Sequence, residues 1–481
     1  MSYEGIIFSG RKLGARPATG YRLRTAAQVA GYNVLIIDIS ESLTLDIVKE
    51  ILSLAVSDNT KFVGFSSSWV GTATSSYDWV CDELFDHIKT VHSKLLILTG
   101  NHNQPTSSIY KISDYHFSGF SDASFIEFLH YVNDKPSTFK FTDVDGKRVV
   151  YGDNKYPLAS IDEIENVLFD YDLFESYQSI PIEISRGCIY RCSFCAHPYT
   201  GKKGTDYIRS PESIARELKR NYELFGVTRY SITDDTFNDS MFKLDAVDKA
   251  IELSGIPSFE FSAYIKPELL RTVPGMGDKL GRLGLRGGHV GIESFNNAAR
   301  KAIGKSTDVD KVIDSIRDMT SVHTKIQLCA SFIFGLPGDT SDDFHKMHEF
   351  CSGKDNDIFS NWMYYPLGIH SDPKFAFTAI EKNPIKFGYN TSKKFGSWYN
   401  WTNSTSNYVT ALTVSQRLMN ESMNIMKFGG WTIPDAWSAN LDNTEILTQS
   451  EKSLRGKYMP ALRSNEEYRL NKLLERLQNN K

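Results

Sequence analysis

The run SRGCIYRCSFC, residues 185–195, is the most informative stretch of the chain. It places Cys188, Cys192 and Cys195 in a CxxxCxxC spacing on one short loop. Four-iron, four-sulfur clusters that only transfer electrons are usually held by four cysteines, so three thiolates leave one iron without a protein ligand. The spacing therefore predicts an iron-sulfur cluster whose open iron takes part in chemistry.

A zinc site is the alternative interpretation of the same loop. His197 lies two residues beyond Cys195 and could complete a set of three cysteines and one histidine. Structural zinc sites more often combine two ligand pairs separated by a longer spacer, which favours the cluster. Arg186 and Arg191 place positive charge beside the cysteines, which would favour thiolates. Solvated loop charge is the alternative interpretation of both arginines.

The length and composition of the chain indicate its broad class. A chain of 481 residues is long enough for two or three domains. Its 41% hydrophobic and 23% charged residues are typical of a soluble globular protein, and its net charge of −4 predicts no general attraction to nucleic acid or anionic membrane. No segment offers about 20 consecutive apolar residues, and the first residues lack the signal-peptide pattern. Six cysteines make no disulfide framework at this length, so we expect a cytoplasmic protein.

The first region, residues 1–133, alternates short apolar runs with helical periodicity. The predicted strands are residues 4–10, 33–39, 61–68, 94–100 and 114–119. Helical periodicity falls near residues 20–30, 42–55, 74–91 and 121–133. This alternation predicts an open parallel sheet with helices on both faces, and such sheets bind ligands beyond the carboxyl ends of their strands.

Residues 134–178 are predicted to connect the first region to the second. Asp145 and Gly146 stand between two alternating stretches, which is a strong signal for a β-hairpin. An acidic and aromatic segment follows the hairpin. We therefore expect a surface linker with a hairpin at its start.

Residues 179–370 have the repeated strand-helix pattern of a partial (β/α)6 barrel, in which catalytic groups lie at the carboxyl ends of the strands. Three motifs stand at such positions. TDDTFN contains Asp234 and Asp235, GHVGIES contains Glu293, and SFIFGLPGDT contains Gly335 and Gly338. Adjacent residues of an extended chain point to opposite faces, so only one of the two aspartates can face the barrel interior. A helix N-cap is the alternative for the other.

Residues 371–481 form a predicted helical and aromatic C-terminal region. Five of the seven tryptophans lie after residue 360, among them Trp398 and Trp401. Such a region could close the open side of the barrel and line a substrate pocket. We favour the simpler interpretation, the core of a helical subdomain, because aromatic side chains dominate core burial generally.

The cysteine loop and the three motifs resemble, in order and spacing, those of the radical S-adenosylmethionine (radical SAM) superfamily. The resemblance implies that the open iron binds S-adenosylmethionine (SAM) and that the reduced cluster cleaves it to a 5'-deoxyadenosyl radical. It also implies contacts to SAM for the residues that match the family's motifs. These are Phe194, Asp234, Asp235, Glu293, Gly335 and Gly338. Asp339 stands where the family usually has glutamate.

The first region resembles the cobalamin-binding-type domain that precedes many radical SAM cores. The matching stretches are residues 20–38 and TGNHNQPT, residues 99–106. The resemblance implies a cobalamin pocket that includes Ser66, Gly100 and His102. The first loop lacks the DxHxxG motif, so it offers no histidine as the lower cobalt ligand. The domain either binds cobalamin without that histidine, or is an empty structural or substrate-presenting domain.

The resemblance implies an enzyme that reductively cleaves SAM and abstracts hydrogen from an unreactive carbon. Cobalamin-dependent methyl transfer to that carbon is the first expected outcome, and cobalamin-independent rearrangement, cyclisation or oxidation is the alternative. A non-catalytic iron-sulfur protein is the third interpretation. The chain has no second CxxC pair for an auxiliary cluster, which argues against sulfur insertion. A flavodoxin or ferredoxin is the expected electron donor, and neither a membrane nor a nucleic-acid partner is indicated.

Overall fold

The computed structural model divides the chain into two compact units. One unit comprises Met1–Glu175 together with Met459–Lys481, and the other comprises Ser176–Tyr458. The structure describes residues 2–9, 16–39, 42–66, 78–101, 112–144, 146–152, 175–195, 207–305, 308–371, 376–396, 398–427, 430–441 and 451–480. No helix among these residues is long and apolar enough to span a membrane.

The first unit is built on a seven-stranded sheet. Its strands are Gly5–Phe8 (β1), Val34–Ile37 (β2), Phe62–Ser66 (β3), Leu96–Asn101 (β4), Tyr115–Ser118 (β5), Thr142–Val144 (β6) and Lys147–Tyr151 (β7). They lie in the order β2-β1-β3-β4-β5-β7-β6, and all neighbours are parallel except β6 and β7. The five predicted parallel strands are therefore confirmed. In sheets of this order the ligand usually lies at the carboxyl ends of β1 and β3, because the order of the strands reverses between these two.

The helices of the first unit follow the strands in the predicted alternation. They are Ala18–Val29 (α1), Leu45–Ala55 (α2), Asp78–Val91 (α3) and Asp122–Val132 (α4). The strands β1 and β2 are completely buried, as expected of a parallel sheet that is covered on both faces.

The hairpin departs from the prediction because it belongs to the first sheet. β7 pairs in parallel with β5, with Tyr115 opposite Arg148. Phe139 and Phe141, which precede β6, lie edge-on to the Tyr115 ring at 5.6 Å. These contacts bury aromatic surface, so the hairpin extends the sheet instead of acting as a separate linker. Asp145 and residues 153–174 lie outside the described residues.

The end of the chain also differs from the predicted single C-terminal region. The last helix, Glu451–Asn479, contributes the residues from Met459 onward to the first unit. Leu470, Leu473 and Leu477 of this helix pack into the hydrophobic core of that unit. The local sequence pattern shows a helix here, but it cannot show which distant core the helix covers.

The second unit contains a six-stranded sheet. Its strands are Ser179–Ile182 (β8), Arg229–Ile232 (β9), Glu260–Ile265 (β10), Leu285–Glu293 (β11), Gln327–Phe334 (β12) and Asn361–Pro366 (β13). They are all parallel and lie in chain order from β8 to β13. The predicted partial barrel of six strand-helix units is confirmed.

Helices connect these strands and continue beyond them. They are Pro211–Phe225 (α5), Met241–Ser254 (α6), Glu268–Thr272 (α7), Met276–Leu283 (α8), Asn297–Ala302 (α9), Val309–Val322 (α10), Ser341–Ser352 (α11), Ala379–Lys382 (α12), Tyr408–Ser422 (α13) and Ile433–Ser438 (α14). Their ends follow local rules. Ser210 caps α5 by accepting the amide of Ser213, and Gly226 ends that helix in the left-handed conformation.

The segment around Gly430 closes the amino end of the second sheet. A Cβ atom at Gly430 would overlap Cys329 near the start of β12, so only glycine fits there. The following helix α14 is buried throughout, and its Trp437 ring lies 5.3 Å from the guanidinium of Arg229. This part of the C-terminal region therefore packs against strands of the second sheet. Trp401 is also fully buried and donates to the Leu367 carbonyl.

Candidate active site at the carboxyl ends of the core strands

A cavity of about 380 Å³ opens at the carboxyl ends of the second sheet. Six of the predicted site residues line it: Cys188, Cys192, Cys195, Phe194, Asp235 and Glu293. Residues from β10, β11, β12 and β13 complete the wall. The volume is in the lower part of the range of ligand sites, which runs from about 300 to 1,000 Å³.

Asp234 does not line the cavity but anchors the cysteine loop from behind. Its carboxylate accepts the amides of Ile184 and Ser185 at 2.8 and 3.1 Å and the Ser185 hydroxyl at 2.6 Å. Lys243 lies 3.3 Å from the same carboxylate, and both side chains are fully buried. The alternation predicted for the two aspartates is therefore observed. The inward-pointing one is Asp235, and the other holds two loop amides instead of capping a helix.

The environment of Cys188 differs from the one predicted. Its sulfur lies 3.4 Å from the Thr236 hydroxyl and accepts the Tyr190 amide at 3.4 Å. Burial raises the pKa of the Cys188 thiol. Arg186 donates two hydrogen bonds to Glu183, at 2.7 and 3.1 Å. The carboxylate of Glu183 offsets the positive charge of Arg186, which reduces its effect on the cysteines. The cysteines are thus partly desolvated, and Arg186 serves the base of the loop.

Glu293, at the end of β11, faces a lysine that the sequence analysis did not identify. This lysine is Lys305, whose ammonium group lies 3.2 Å from a carboxylate oxygen of Glu293 and also donates to the carbonyl of Gly291. Both side chains are buried, and both line the cavity. Burial by itself would lower the pKa of Lys305, but the nearby carboxylates of Glu293 and Glu268 outweigh it and raise that pKa.

A network of charges supports this pair from below. Glu268 lies 2.8 Å from Arg300, 3.5 Å from Lys266 and 3.8 Å from Lys305. Burial alone would raise the pKa of Glu268, but Lys305, Lys266 and Arg300 together lower it to about 2. Glu268 is therefore ionised at neutral pH and holds three cations, of which Lys266 and Lys305 line the cavity. No local motif marks these residues, because they meet only when strands and helices pack.

Another part of the cavity lining is polar but uncharged. Tyr264, His289 and Tyr365 come from three different strands, and the rings of Tyr264 and His289 meet edge to face at 5.0 Å. Burial lowers the pKa of His289 to about 4, with Lys305 contributing, so the imidazole is neutral at physiological pH. Burial raises the pKa of Tyr365 to about 12.

Gly335 and Gly338 lie in the loop after β12 with φ of +91° and +87°. Neither is among the lining residues of the cavity. A Cβ atom at Gly335 would overlap the ring of Trp401, whereas one at Gly338 would meet nothing within 4 Å. The group that approaches the backbone of Gly335 closely is thus the Trp401 side chain of this chain. Their contact with the adenine of SAM stays a prediction.

Two of the three candidate cobalamin residues of the first unit lie at the carboxyl edge of its sheet. Ser66 and Gly100 are register partners at the ends of β3 and β4. His102 lies outside the described residues. The carboxylate of Asp38, directly after β2, forms ion pairs with the guanidinium groups of Arg469 and Arg16, at 2.9 and 3.2 Å. The described edge is compatible with a ligand, but it identifies none.

The donor set of the cavity fits an iron-sulfur cluster. Three thiols from one loop line it, and thiolates are the ligands of such clusters. Within the described ranges, no three His, Cys, Asp or Glu side chains form a group that could hold a single metal ion. His197, the fourth ligand of the zinc alternative, lies outside those ranges.

Two kinds of known protein resemble this chain. A synthase of tRNA-2-methylthio-N(6)-dimethylallyladenosine from Rickettsia bellii (strain OSU 85-389) is 29% identical over 203 residues, which is 39% of this chain and 44% of that protein. The corresponding synthase of Acinetobacter baylyi is 23% identical over 195 residues, or 38% and 39% of the two chains. The chain thus spans less than half the length of these relatives.

The solved structures add a likeness of fold. The cobalamin-dependent SAM radical enzyme OxsB with aqua-cobalamin bound matches 80% of this chain and 56% of its own length, with a TM-score of 0.57 and 15% identity. The apo form of OxsB matches with a TM-score of 0.56. Residues 182–351 match the family model described as the radical SAM superfamily. This range is about a third of the chain and holds the three cysteines, Glu293 and Lys305, so this part of the chain is similar to the radical SAM superfamily.

Proposed function

We propose that this chain binds a four-iron, four-sulfur cluster and cleaves SAM reductively. The observation that carries the proposal is the single cavity that unites three cysteines with the Glu293–Lys305 pair. When bound, the cluster and SAM supply a 5'-deoxyadenosyl radical that abstracts hydrogen from a substrate carbon. The rest of the reaction depends on what the side chains of this chain hold and exclude.

Cys188, Cys192 and Cys195 are the proposed cluster ligands. The methionyl end of SAM carries an ammonium and a carboxylate group, and Glu293 and Lys305 offer the opposite charges within the same wall. Each pairing replaces a water-exposed charge with a partner in a partly desolvated site, where such hydrogen bonds are strongest. Phe194 and Asp235 line the cavity beside the cysteines and are the further candidates for contact with SAM.

The uncharged wall is the proposed substrate side. Tyr264, His289 and Tyr365 offer hydrogen bonds without a formal charge at neutral pH. Uncharged polar groups of a substrate would therefore fit these three side chains best.

Methyl transfer with cobalamin is the proposed second half of the reaction. Its support is the parallel sheet of the first unit, with Ser66 and Gly100 side by side at the edge where such sheets bind ligands. The fold likeness to OxsB points in the same direction. Rearrangement, cyclisation or oxidation without cobalamin is the alternative.

Methylthiolation is a second candidate because of the curated relatives, whose names describe tRNA-2-methylthio-N(6)-dimethylallyladenosine synthases. Sulfur insertion in radical SAM enzymes needs a second cluster as sulfur donor. The remaining cysteines are Cys81, Cys329 and Cys351, far apart in sequence, and the last two are buried. Methyl transfer is therefore the proposal favoured over methylthiolation. The electron donor and the cytoplasmic location stay predictions.

Anaerobic reconstitution tests the proposal. The protein is loaded with iron and sulfide and given SAM and a strong reductant, with and without cobalamin, and 5'-deoxyadenosine and S-adenosylhomocysteine are quantified by mass spectrometry. We expect 5'-deoxyadenosine from the wild type and a loss of at least a thousandfold in C192A; the matched control C351A removes a buried cysteine outside the cavity. S-adenosylhomocysteine formed only with cobalamin supports methyl transfer. No cleavage by a protein with a complete cluster refutes the proposal.

A further inference from the structure

Glu293 has a backbone conformation that few residues of its type adopt. Its φ is +68°, in the left-handed region. The amide of Ser294 donates to the carbonyl of Ile292 at 2.9 Å, so Glu293 is the middle residue of a three-residue turn. Such turns with positive φ are strained. Strain of this kind costs ~1–3 kcal/mol and persists only where the surroundings hold it in place.

The support for this turn comes from the loop that follows β12. The hydroxyl of Ser294 donates to Oδ1 of Asp339 at 2.6 Å and accepts the amide of Asn296 at 2.9 Å. Ser294 and Asp339 are both completely buried. The contact therefore joins two strand-end loops and fixes the residue that directly follows Glu293.

The surroundings of Asp339 favour its neutral form. Its second carboxyl oxygen has no hydrogen-bond partner within the described part of the chain. The titratable groups that face it are Asp343 on α11 and Tyr389, and neither is a cation. Burial raises the pKa of Asp339 to about 8, and the negative charge of Asp343 adds to the effect.

The remaining bonds to this loop come from groups without charge. Tyr389 donates to the carbonyl of Gly335 at 2.7 Å, and Thr405 donates to the carbonyl of Asp339 at 2.5 Å. Asn296 donates to the carbonyl of Gly338 at 3.0 Å. Asp339 is thus the member of this set whose state changes between pH 7 and 9.

We propose that Asp339 is a positioning residue that accepts the Ser294 hydroxyl and thereby fixes the strained turn that directs Glu293 into the cavity. The inference rests on the proposed function, because Glu293 acts only if SAM binds there. An ionised Asp339 would be buried without a counter-ion, so the loop must shift to hydrate it. The population with Glu293 in place then falls.

The expected effect follows from the neutral fraction. At pH 9, one unit above a pKa of about 8, roughly one molecule in ten keeps Asp339 neutral. If only that fraction binds SAM well, the apparent KM for SAM rises about tenfold between pH 7 and 9. The kcat of the bound form changes much less, because the chemistry of bound SAM does not involve Asp339.

The experiment measures KM and kcat for SAM-dependent 5'-deoxyadenosine formation from pH 6.5 to 9.5. D339N keeps the shape and stays neutral, so we expect its KM to lack the alkaline rise. S294A removes the link to the turn, so its KM should be high at every pH. T405A is the control, because it removes a bond to the main chain of Asp339 and leaves Ser294 in contact; it should keep the alkaline rise.

Two results would overturn the inference while the proposed function stands. One is an alkaline rise in D339N equal to that of the wild type; the other is an S294A enzyme with the wild-type KM. A wild type that does not cleave SAM at pH 7 contradicts the proposed function itself. If S294A does not fold, the comparison of D339N with the wild type decides.

Thermal unfolding of the same proteins provides a check that does not depend on activity. Because the folded-state pKa of Asp339 is raised, the contribution of this group to stability falls as pH rises from about 4 to about 8. D339N lacks this group, so its Tm should exceed that of the wild type by more at pH 8 than at pH 5. A constant difference in Tm would count against a neutral, buried Asp339.

Discussion

Two buried carboxylates at strand ends, one in each unit, show how similar positions serve different purposes. Asp38 directly follows β2 of the first sheet and is held by Arg469, Arg16 and the Tyr21 hydroxyl. Glu293 ends β11 of the second sheet and shares a cavity with Lys305. Asp38 is surrounded by donors from its own chain. Glu293 keeps a face toward open volume and can therefore meet a ligand.

The backbone reinforces this difference. Asp38 follows a regular, fully buried strand, whereas Glu293 occupies a left-handed turn where the register with β12 shifts. Irregular backbone at a sheet end is typical of functional positions, because it re-aims a side chain at a cost in stability. A buried carboxylate alone therefore does not indicate an active site. One that is strained and open to a cavity does.

Removing the lysine partner of Glu293 should have the largest effect. K305M leaves Glu293 buried without its counter-ion and removes the proposed contact to the SAM carboxylate. Loss of ~3 kcal/mol corresponds to a fall of about a hundredfold or more in kcat/KM for SAM. The control K279M removes a lysine that pairs with Asp245 and Asp248 away from the cavity. Equal kinetics of the two variants, measured as 5'-deoxyadenosine formation, would place SAM elsewhere.

Removing the partner of Asp38 should affect stability instead of catalysis. R469A breaks one arm of a buried charge cluster, so we expect the free energy of unfolding of the first unit to fall by about 2–4 kcal/mol. K472A, on the same helix but exposed and paired with Glu475, is the control. Urea unfolding and the rate of 5'-deoxyadenosine formation are measured together. A large loss of SAM cleavage in folded R469A would contradict the division of roles.

The same variant makes a prediction about pH. Burial would raise the pKa of Asp38, but Arg469 and Arg16 outweigh it and hold that pKa below its ordinary value. Its ionised form then stabilises the fold above pH ~4, and this contribution is lost as pH falls. R469A should therefore lose less stability than the wild type on acidification from pH 6 to 3. Equal losses would show that Arg469 does not act on this carboxylate.

The smallest expected effect compares two glycines of one loop. Gly335 and Gly338 share positive φ, but only Gly335 lies against Trp401. G338A should cost about 1 kcal/mol of stability from backbone strain alone, whereas G335A adds steric overlap and should cost roughly 2–4 kcal/mol. Thermal unfolding measures both. W401L should recover part of the loss in G335A, and a lack of recovery would mean that Trp401 is not the obstacle.

Local patterns in the sequence were enough to predict the alternation of strands and helices, the cysteine loop and the order of the site motifs. Those features are local: apolar periodicity sets each element, and the CxxxCxxC spacing sets three thiols on one loop. Strand alternation even indicated that one aspartate of the Asp234–Asp235 pair would point inward. The cavity-facing member could not be chosen, because it depends on the pairing of β9 with its neighbours.

Which groups meet depends on the packing of the folded chain. Lys305 reaches Glu293 across the short helix α9, whereas Ser294 reaches Asp339 and Arg469 reaches Asp38 across long stretches of chain. No periodicity encodes such contacts, since they arise when elements pack. The same holds for the hairpin and the last helix, which joined the first unit because their apolar side chains found burial there. Local sequence patterns therefore predict the elements and motifs, whereas tertiary packing brings their side chains together into a site.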